Sequence, residues 1–228
     1  MKTFSVSMIA DGGFKGVIFD LDGTLLDSMQ IWEDVGEKYL LSQGVRPEED
    51  LRETLRTMSL RQAAEYCQKN YKVKKTVEEI IEGVTGIVED FYKKEAELKP
   101  GVKEFLEELS AQDIKMCVAT ASEMELVEAA LTRCGIRDYF VDILTCSQVG
   151  CGKDQPLIYE EALKILGTEK SKPLVFEDSL HAITTAKQAG FTVVGVYEPS
   201  EQDQERVRGS VDYYLKDFYL SKEISPHR

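Results

Sequence analysis

The sequence predicts an α/β fold, a Rossmann-like parallel sheet core with an inserted α-helical cap domain, and three observations carry that expectation. Val17, Ile18 and Phe19 form an apolar run that reads as a strand buried on both faces, because three successive large apolar residues leave no side for water. From about residue 99 onward, short apolar runs alternate with amphipathic helical patterns, which implies parallel strands joined by crossover helices. Between the two lies a stretch, residues 29–98, in which helical signals recur and strand signals are weak. The expected division is residues 1–28 as the first part of the core, 29–98 as the helical cap and 99–228 as the second part of the core. Strand one belongs with the later sheet, so the helical segment is an insertion, expected over the carboxyl ends of the strands where a lid belongs.

Within the cap, Ile31, Trp32, Val35 and Tyr39 make an apolar stripe at helical spacing that closes at Gly44. Pro47, followed by Glu48, Glu49 and Asp50, reads as a helix start and places Leu51, Leu55 and Met58 on the buried side. Ser59-x-x-Gln62 and Thr76-x-x-Glu79 are capping-box sequences, each ahead of a periodic apolar run. The second run is the clearest, with Val77, Ile80, Ile81, Val84, Ile87, Val88 and Phe91 on one face. Four helices joined by short turns make a small bundle.

Lys99-Pro100-Gly101 breaks this pattern. Val102, Phe105, Leu106 and Leu109 then mark a helix, residues 114–119 a buried strand, and Met124, Val127, Leu131 and Cys134 a helix ended by Gly135. A strand over 141–144, a helix over 157–166 and a strand over 174–176 follow. A helix over 179–189 stops at Gly190, Val193 to Val196 supply another strand, and residues 213–215 a last one.

Composition narrows the partners. A chain of 228 residues can bury a full core, and a net charge of -13 without any Lys/Arg cluster sets it against phosphate backbones, so no nucleic-acid partner is expected. No apolar stretch is long enough for a signal peptide or a membrane span, so a cytoplasmic location and no membrane partner are expected. Five cysteines, Cys67, Cys117, Cys134, Cys146 and Cys151, are an odd number without framework spacing and read as free thiols. Cys146 and Cys151 are spaced for a metal pair, but the chain holds only two histidines, one of them near its carboxyl terminus, and a zinc site is not expected.

The chemistry-bearing residues fall at the carboxyl ends of the predicted strands, the edge at which open α/β sheets bind ligands. Asp20 ends strand one and Asp22 follows on the turn. Such a pair suits covalent catalysis, one carboxylate attacking an electrophile while the other protonates the leaving group and later activates water. Two close like charges also call for a hard cation such as Mg2+, which binds phosphoryl oxygens as well. Thr120 follows the second strand, with Ala121 beside it, and its hydroxyl and the neighbouring N–H groups suit phosphoryl oxygens. Ser122 reads as a helix cap paired with Glu125. Lys153, between Gly152 and the helix start at Pro156, suits an inward-pointing phosphate binder. Glu177 and Asp178, after Leu174-Val175-Phe176, form either a helix-capping turn or a metal site.

Asp20-x-Asp22-Gly23-Thr24, the threonine after the second strand, Gly152-Lys153-x-x-Pro156 and Val175-Phe176-Glu177-Asp178-Ser179 occur in the order of the four motifs of the haloacid dehalogenase-like superfamily. The chain resembles that family over residues 16 to about 197, and its insert resembles the small helical cap of the phosphoglucomutase- and phosphoglycolate-phosphatase-like branch. The resemblance implies Asp20 as nucleophile, Asp22 as general acid/base, Thr120, Ala121 and Lys153 as substrate-binding residues, and Asp20, Asp22, Glu177 and Asp178 around Mg2+, Asp22 through its backbone carbonyl. It further implies a Mg2+-dependent phosphatase acting on a small phosphorylated metabolite through an aspartyl-phosphate. A sugar phosphomutase and a non-catalytic phosphate-binding regulatory module are the alternatives. In the phosphomutases the chain resembles, a histidine lies twelve residues beyond the nucleophile; Trp32 occupies that position, which favours hydrolysis. A receiver-like module would not need so large a helical insert. Two departures from the family pattern stand out, Asp154 in place of the first proline of the lysine loop and Ala182 in place of a frequent glycine, with His181 before it read as a surface residue. The oligomeric state is left open, a monomer being sufficient.

Overall fold

The structure, a computed structural model, describes residues 9, 12–55, 58, 60–168 and 173–219. The chain forms two compact units, one from the described residues up to Asp27 and from Glu97 onward, the other from Ser28–Ala96.

The first unit is built on a six-stranded, wholly parallel sheet. Its central strand, β1 (Gly16–Phe19), is buried throughout, as a run with no polar face requires. A two-residue strand, β2 (Leu26–Asp27), pairs antiparallel with β3 (Glu97–Leu98), and the Lys99 N–H extends this pairing by donating to the Leu25 carbonyl. That small ladder draws Glu97 and Leu98 into the core unit, so the two units divide at 27/28 and 96/97, where the sequence pattern suggested 28/29 and 98/99. The remaining strands are β4 (Lys115–Thr120), β5 (Phe140–Thr145), β6 (Pro173–Glu177), β7 (Thr192–Val196) and β8 (Tyr213–Leu215). Their order across the sheet is β5-β4-β1-β6-β7-β8. From β1 the chain builds outward first through β4 and β5 and then, on the opposite side, through β6, β7 and β8. The order therefore reverses at β1, and the carboxyl ends of β1, β4 and β6 mark the switch point at which open α/β sheets bind ligands.

Alternation along the strands separates two cores. Ile18, Cys117, Val175 and Val193 face Ile158, Tyr159, Ala162 and Leu166 of the helix Leu157–Leu166, together with Ile183 and Ala186 of the helix Leu180–Gln188. On the other face, Phe19 and its register partner Phe176 pack as a tilted pair with ring centroids 4.7 Å apart, and Phe105, Phe140 and Phe218 close around them at 5.7–6.5 Å. Gly101 starts the helix Val102–Ala111 with φ +82°, and a Cβ there would lie 2.5 Å from the backbone of Phe218, so both conformation and space demand glycine.

The second unit holds the helices Met29–Ser42, Leu51–Leu55, Leu60–Asn70 and Val77–Lys94. Tyr39, Leu40, Leu51, Ala64, Cys67, Val73, Ile80 and Val84 form its core. The capping box at Thr76 and Glu79 is present in full, with Glu79 N–H on Thr76 Oγ1 at 3.2 Å and Thr76 N–H on Glu79 Oε2 at 2.7 Å. The capping box at Ser59 lies outside the described residues. Trp32 does not join the packed stripe: it is 49% exposed, because Ile31, Tyr39 and Leu40 already supply the buried side of their helix. The second helix begins at Leu51 and not at Pro47, the acidic residues Glu48 to Asp50 forming the approach to it.

Candidate active site

Asp20 leaves β1 with its N–H donating to the Phe176 carbonyl at 2.9 Å, which continues the β1–β6 ladder by one bond and sets Asp20 against the end of β6. The chain then winds around the Leu21 carbonyl, which accepts from the N–H groups of Leu25 and Leu26 at 2.8 Å each. Gly23 makes that reversal possible at φ +80°, a conformation that strains any residue with a Cβ.

Around Asp20 the structure gathers residues from three strand ends. Lys153 is buried although its neighbours Gly152 and Asp154 are exposed, and its Nζ donates to Asp20 Oδ1 and, at 2.8 Å, to Glu177 Oε2. The Asp154 side chain folds back over Gly152, where a Cβ would meet Asp154 Oδ1 at 2.8 Å, so in this position the aspartate standing in place of proline leaves room only for glycine there. Glu177 also accepts from the Tyr159 hydroxyl at 3.2 Å and from the Ser179 hydroxyl at 3.2 Å. Thr24, fully buried, donates its hydroxyl to Asp178 Oδ1 at 3.0 Å. Thr120 is the last residue of β4 and is buried, while Ala121 beside it is exposed.

Among the described residues, Asp20, Glu177 and Asp178 form the group whose carboxylate oxygens lie within 4.8 Å of one another, and all three are buried. Burial, and after it the charge of Glu177, pushes the Asp20 carboxyl up to about 7, against the opposing pull of Lys153. Burial also raises Asp178 well above the usual carboxylate range, with Glu177 and Asp20 adding to the effect. Burial alone would lower the Lys153 ammonium, but Asp20 and Glu177 hold it well above its ordinary value. Three buried acids therefore share one lysine, and the arrangement lacks positive charge. An all-oxygen donor set with excess negative charge suits a hard divalent cation. The carboxylate of Asp22 is not part of this group; it is half-buried and accepts from the Ser122 hydroxyl at 2.5 Å.

One reading of the sequence changes here. Ser122 does not cap the helix that follows β4: the N-cap position of Met124–Arg133 is Glu123, without a side-chain bond, and the Ser122 hydroxyl is turned toward Asp22. Ser179 stands at the N-cap position of the helix Leu180–Gln188 without a side-chain cap bond; its hydroxyl bonds Glu177, and the Leu180 N–H is satisfied from a distance by Glu201 Oε2 at 3.1 Å. Three contributors went unassigned by pattern alone. Thr24 carried its signal within the opening motif, and Ser122 carried one in its place two residues past Thr120. Tyr159 shows none, being an aromatic residue in an apolar helix until that helix packs across β1 and β4 and brings its hydroxyl to Glu177. The five cysteines are free thiols, and Cys146 and Cys151 do not enter a metal-capable group among the described residues.

A parallel α/β sheet with buried carboxylates and a lysine at its switch point has its polar groups where sheets of this class bind ligands. The sequence profile of the haloacid dehalogenase-like hydrolases matches residues 17–196, and the chain belongs to that family as one of its enzymes. It is 28% identical over 176 residues to a phosphorylated carbohydrates phosphatase of Thermotoga maritima, covering 77% of this chain and 82% of that protein. Validoxylamine A 7'-phosphate phosphatase of Streptomyces hygroscopicus subsp. limoneus is 29% identical over 216 residues, covering 94% and 98%. A Thermotoga maritima structure provisionally named a beta-phosphoglucomutase superposes with a TM-score of 0.80 at 27% identity, covering 89% of this chain and 94% of that one. No helix among the described residues is long and apolar enough to cross a membrane.

Proposed function

We propose that this enzyme is a Mg2+-dependent phosphatase that releases phosphate from a small phosphorylated metabolite, a sugar phosphate or similar monoester, through an aspartyl-phosphate on Asp20. The observation that carries the reading is the convergence of Asp20, Lys153, Thr120 and Asp178 from the ends of β1, β4 and β6 and the loop after β5. A carboxylate oxygen of Asp20 attacks phosphorus, the bond to the leaving oxygen breaks, and Asp22 gives that oxygen its proton. Asp22 then takes a proton from water, which attacks phosphorus, releases phosphate and restores Asp20. The Thr120 hydroxyl and the Lys153 ammonium bind phosphoryl oxygens, and Lys153 has the further task of keeping Asp20 ionised in its buried setting. Glu177 and Tyr159 hold Lys153 in line.

Asp20 and Asp178 would hold the Mg2+, with Glu177 and the backbone carbonyl of Asp22 contributing beside them. The bound ion supplies the charge that lets a phosphate dianion approach these carboxylates and polarises its oxygens.

Hydrolysis is favoured over phosphoryl return because Trp32 stands where the resembling phosphomutases have a histidine, and an indole N–H donates a hydrogen bond but shuttles no proton at neutral pH. The names of the two relatives, both phosphatases, support the same reading. The test is a panel of phosphorylated metabolites assayed for phosphate release with and without Mg2+. Metal-dependent release from sugar or polyol phosphates is expected. Conversion of β-glucose 1-phosphate mainly to glucose 6-phosphate, with no free phosphate accumulating, would replace this reading with the mutase.

A further inference from the structure

Ser122 stands two residues past the end of β4, and its hydroxyl reaches a carboxylate 100 positions away in sequence, Asp22 Oδ2, at 2.5 Å. The alignment of β1 beside β4 creates this contact. Ser122 is itself anchored, since its N–H donates to Thr120 Oγ1 at 3.0 Å. The Thr120 oxygen accepts that bond and so keeps its own O–H proton for another acceptor, which fits a phosphoryl oxygen. One short turn thus ties together a phosphoryl donor and the acid/base.

A protonated carboxyl group donates from one oxygen, and the other is then a carbonyl-type acceptor. We propose that Ser122 is a positioning residue for Asp22: its hydrogen bond to Oδ2 fixes the orientation of the carboxyl group that gives and takes the proton. In the transfer the O–H bond of the Asp22 carboxyl breaks, the leaving oxygen gains the proton as its bond to phosphorus breaks, and the carboxylate formed keeps the Ser122 bond, now charge-assisted and stronger. The inference rests on the reading of Asp22 as the acid/base of a phosphatase.

The test compares kcat/KM, which reports phosphoryl transfer to Asp20, on a sugar phosphate accepted in the metabolite panel and on 4-nitrophenyl phosphate, whose leaving group needs little protonation. Ser122→Ala is expected to lose at least about tenfold on the sugar phosphate, and within about threefold on the aryl ester, in keeping with the usual weight of a hydrogen bond to a charged group and of acid catalysis. Ser122→Thr, which keeps the hydroxyl, should recover most of the loss. In Asp22→Ala, adding Ser122→Ala should change the sugar phosphate rate no further, because the partner is gone. Equal losses on both substrates, additive losses in the double variant, or no loss at all would overturn the assignment of Ser122 while leaving the phosphatase reading intact. Phosphate release surviving in Asp20→Asn would remove the phosphatase reading and this inference together.

Discussion

Two buried ionic clusters in the same unit contrast sharply. At the end of β7, Lys99 Nζ donates to Glu198 Oε2 at 2.6 Å and to the Tyr197 carbonyl at 2.7 Å, and the other Glu198 oxygen accepts from the Ser200 hydroxyl at 3.0 Å and N–H at 3.2 Å. One cation meets one anion, and each finds hydrogen-bond partners, as a buried pair must if it is to offset its desolvation. At the ends of β1 and β6, one lysine serves three buried acids, and burial lifts two of them above the usual carboxylate range. A balanced cluster holds the chain in place. An unbalanced one stores a demand for positive charge, and that demand marks the site.

The largest expected effect breaks the comparison at its chemical centre. Asp20→Asn is nearly isosteric and removes one of the surplus charges, so it should abolish phosphate release, by ~10^4-fold or more, while the metal-free protein melts no lower than the parent. Loss of the melting transition along with the activity would mean that the cluster is structural. The two lysines should separate next. Lys153→Met is expected to lower kcat/KM by ~10^2–10^3-fold, as removal of a preorganised group on a transferring phosphoryl does. Lys99→Met should act chiefly on stability, by ~3–5 kcal/mol, because it leaves Glu198 buried without its cation. Denaturant titrations run beside steady-state assays would distinguish the two, and a reversed pattern would refute the contrast.

Metal should sharpen it further. Mg2+ is expected to raise the melting temperature of the wild type, and Asp178→Asn to remove most of that rise while making the metal-free protein no less stable. A thermal shift series with and without chelator measures both. The smallest effect is on pH. With its folded value raised from 3.8 to about 7, Asp20 holds a proton in the folded state that the unfolded chain has already released between those values. The unfolded state then binds fewer protons, so this group makes the metal-free protein lose stability as pH rises from about 4 to about 7. Asp20→Asn should flatten that slope, and an unchanged slope would assign it to other groups.

Much of this was legible in the residues. The unbroken apolar stretch of β1, the strand–helix alternation after residue 99 and the polar residues closing each strand specify a parallel sheet with chemistry at one edge, since periodicity and burial are properties of short windows. Thr76 and Glu79 determine their own cap because both partners lie within one turn of helix. Ser122 reads as a cap for the same local reason, and there the tertiary structure decides otherwise: its hydroxyl finds the Asp22 carboxylate in place of a local N–H. Trp32 fitted the stripe by spacing, yet its helix buries Ile31 and Tyr39 and leaves the indole half exposed. The roles of Thr24 and Tyr159, and the sharing of Lys153 between Asp20 and Glu177, likewise exist only once β1 lies beside β6. The sequence by itself determined which groups stand at the strand ends; strand order decided which of them meet, because a hydrogen bond or an ion pair acts over a few ångströms of space regardless of how much chain separates its partners.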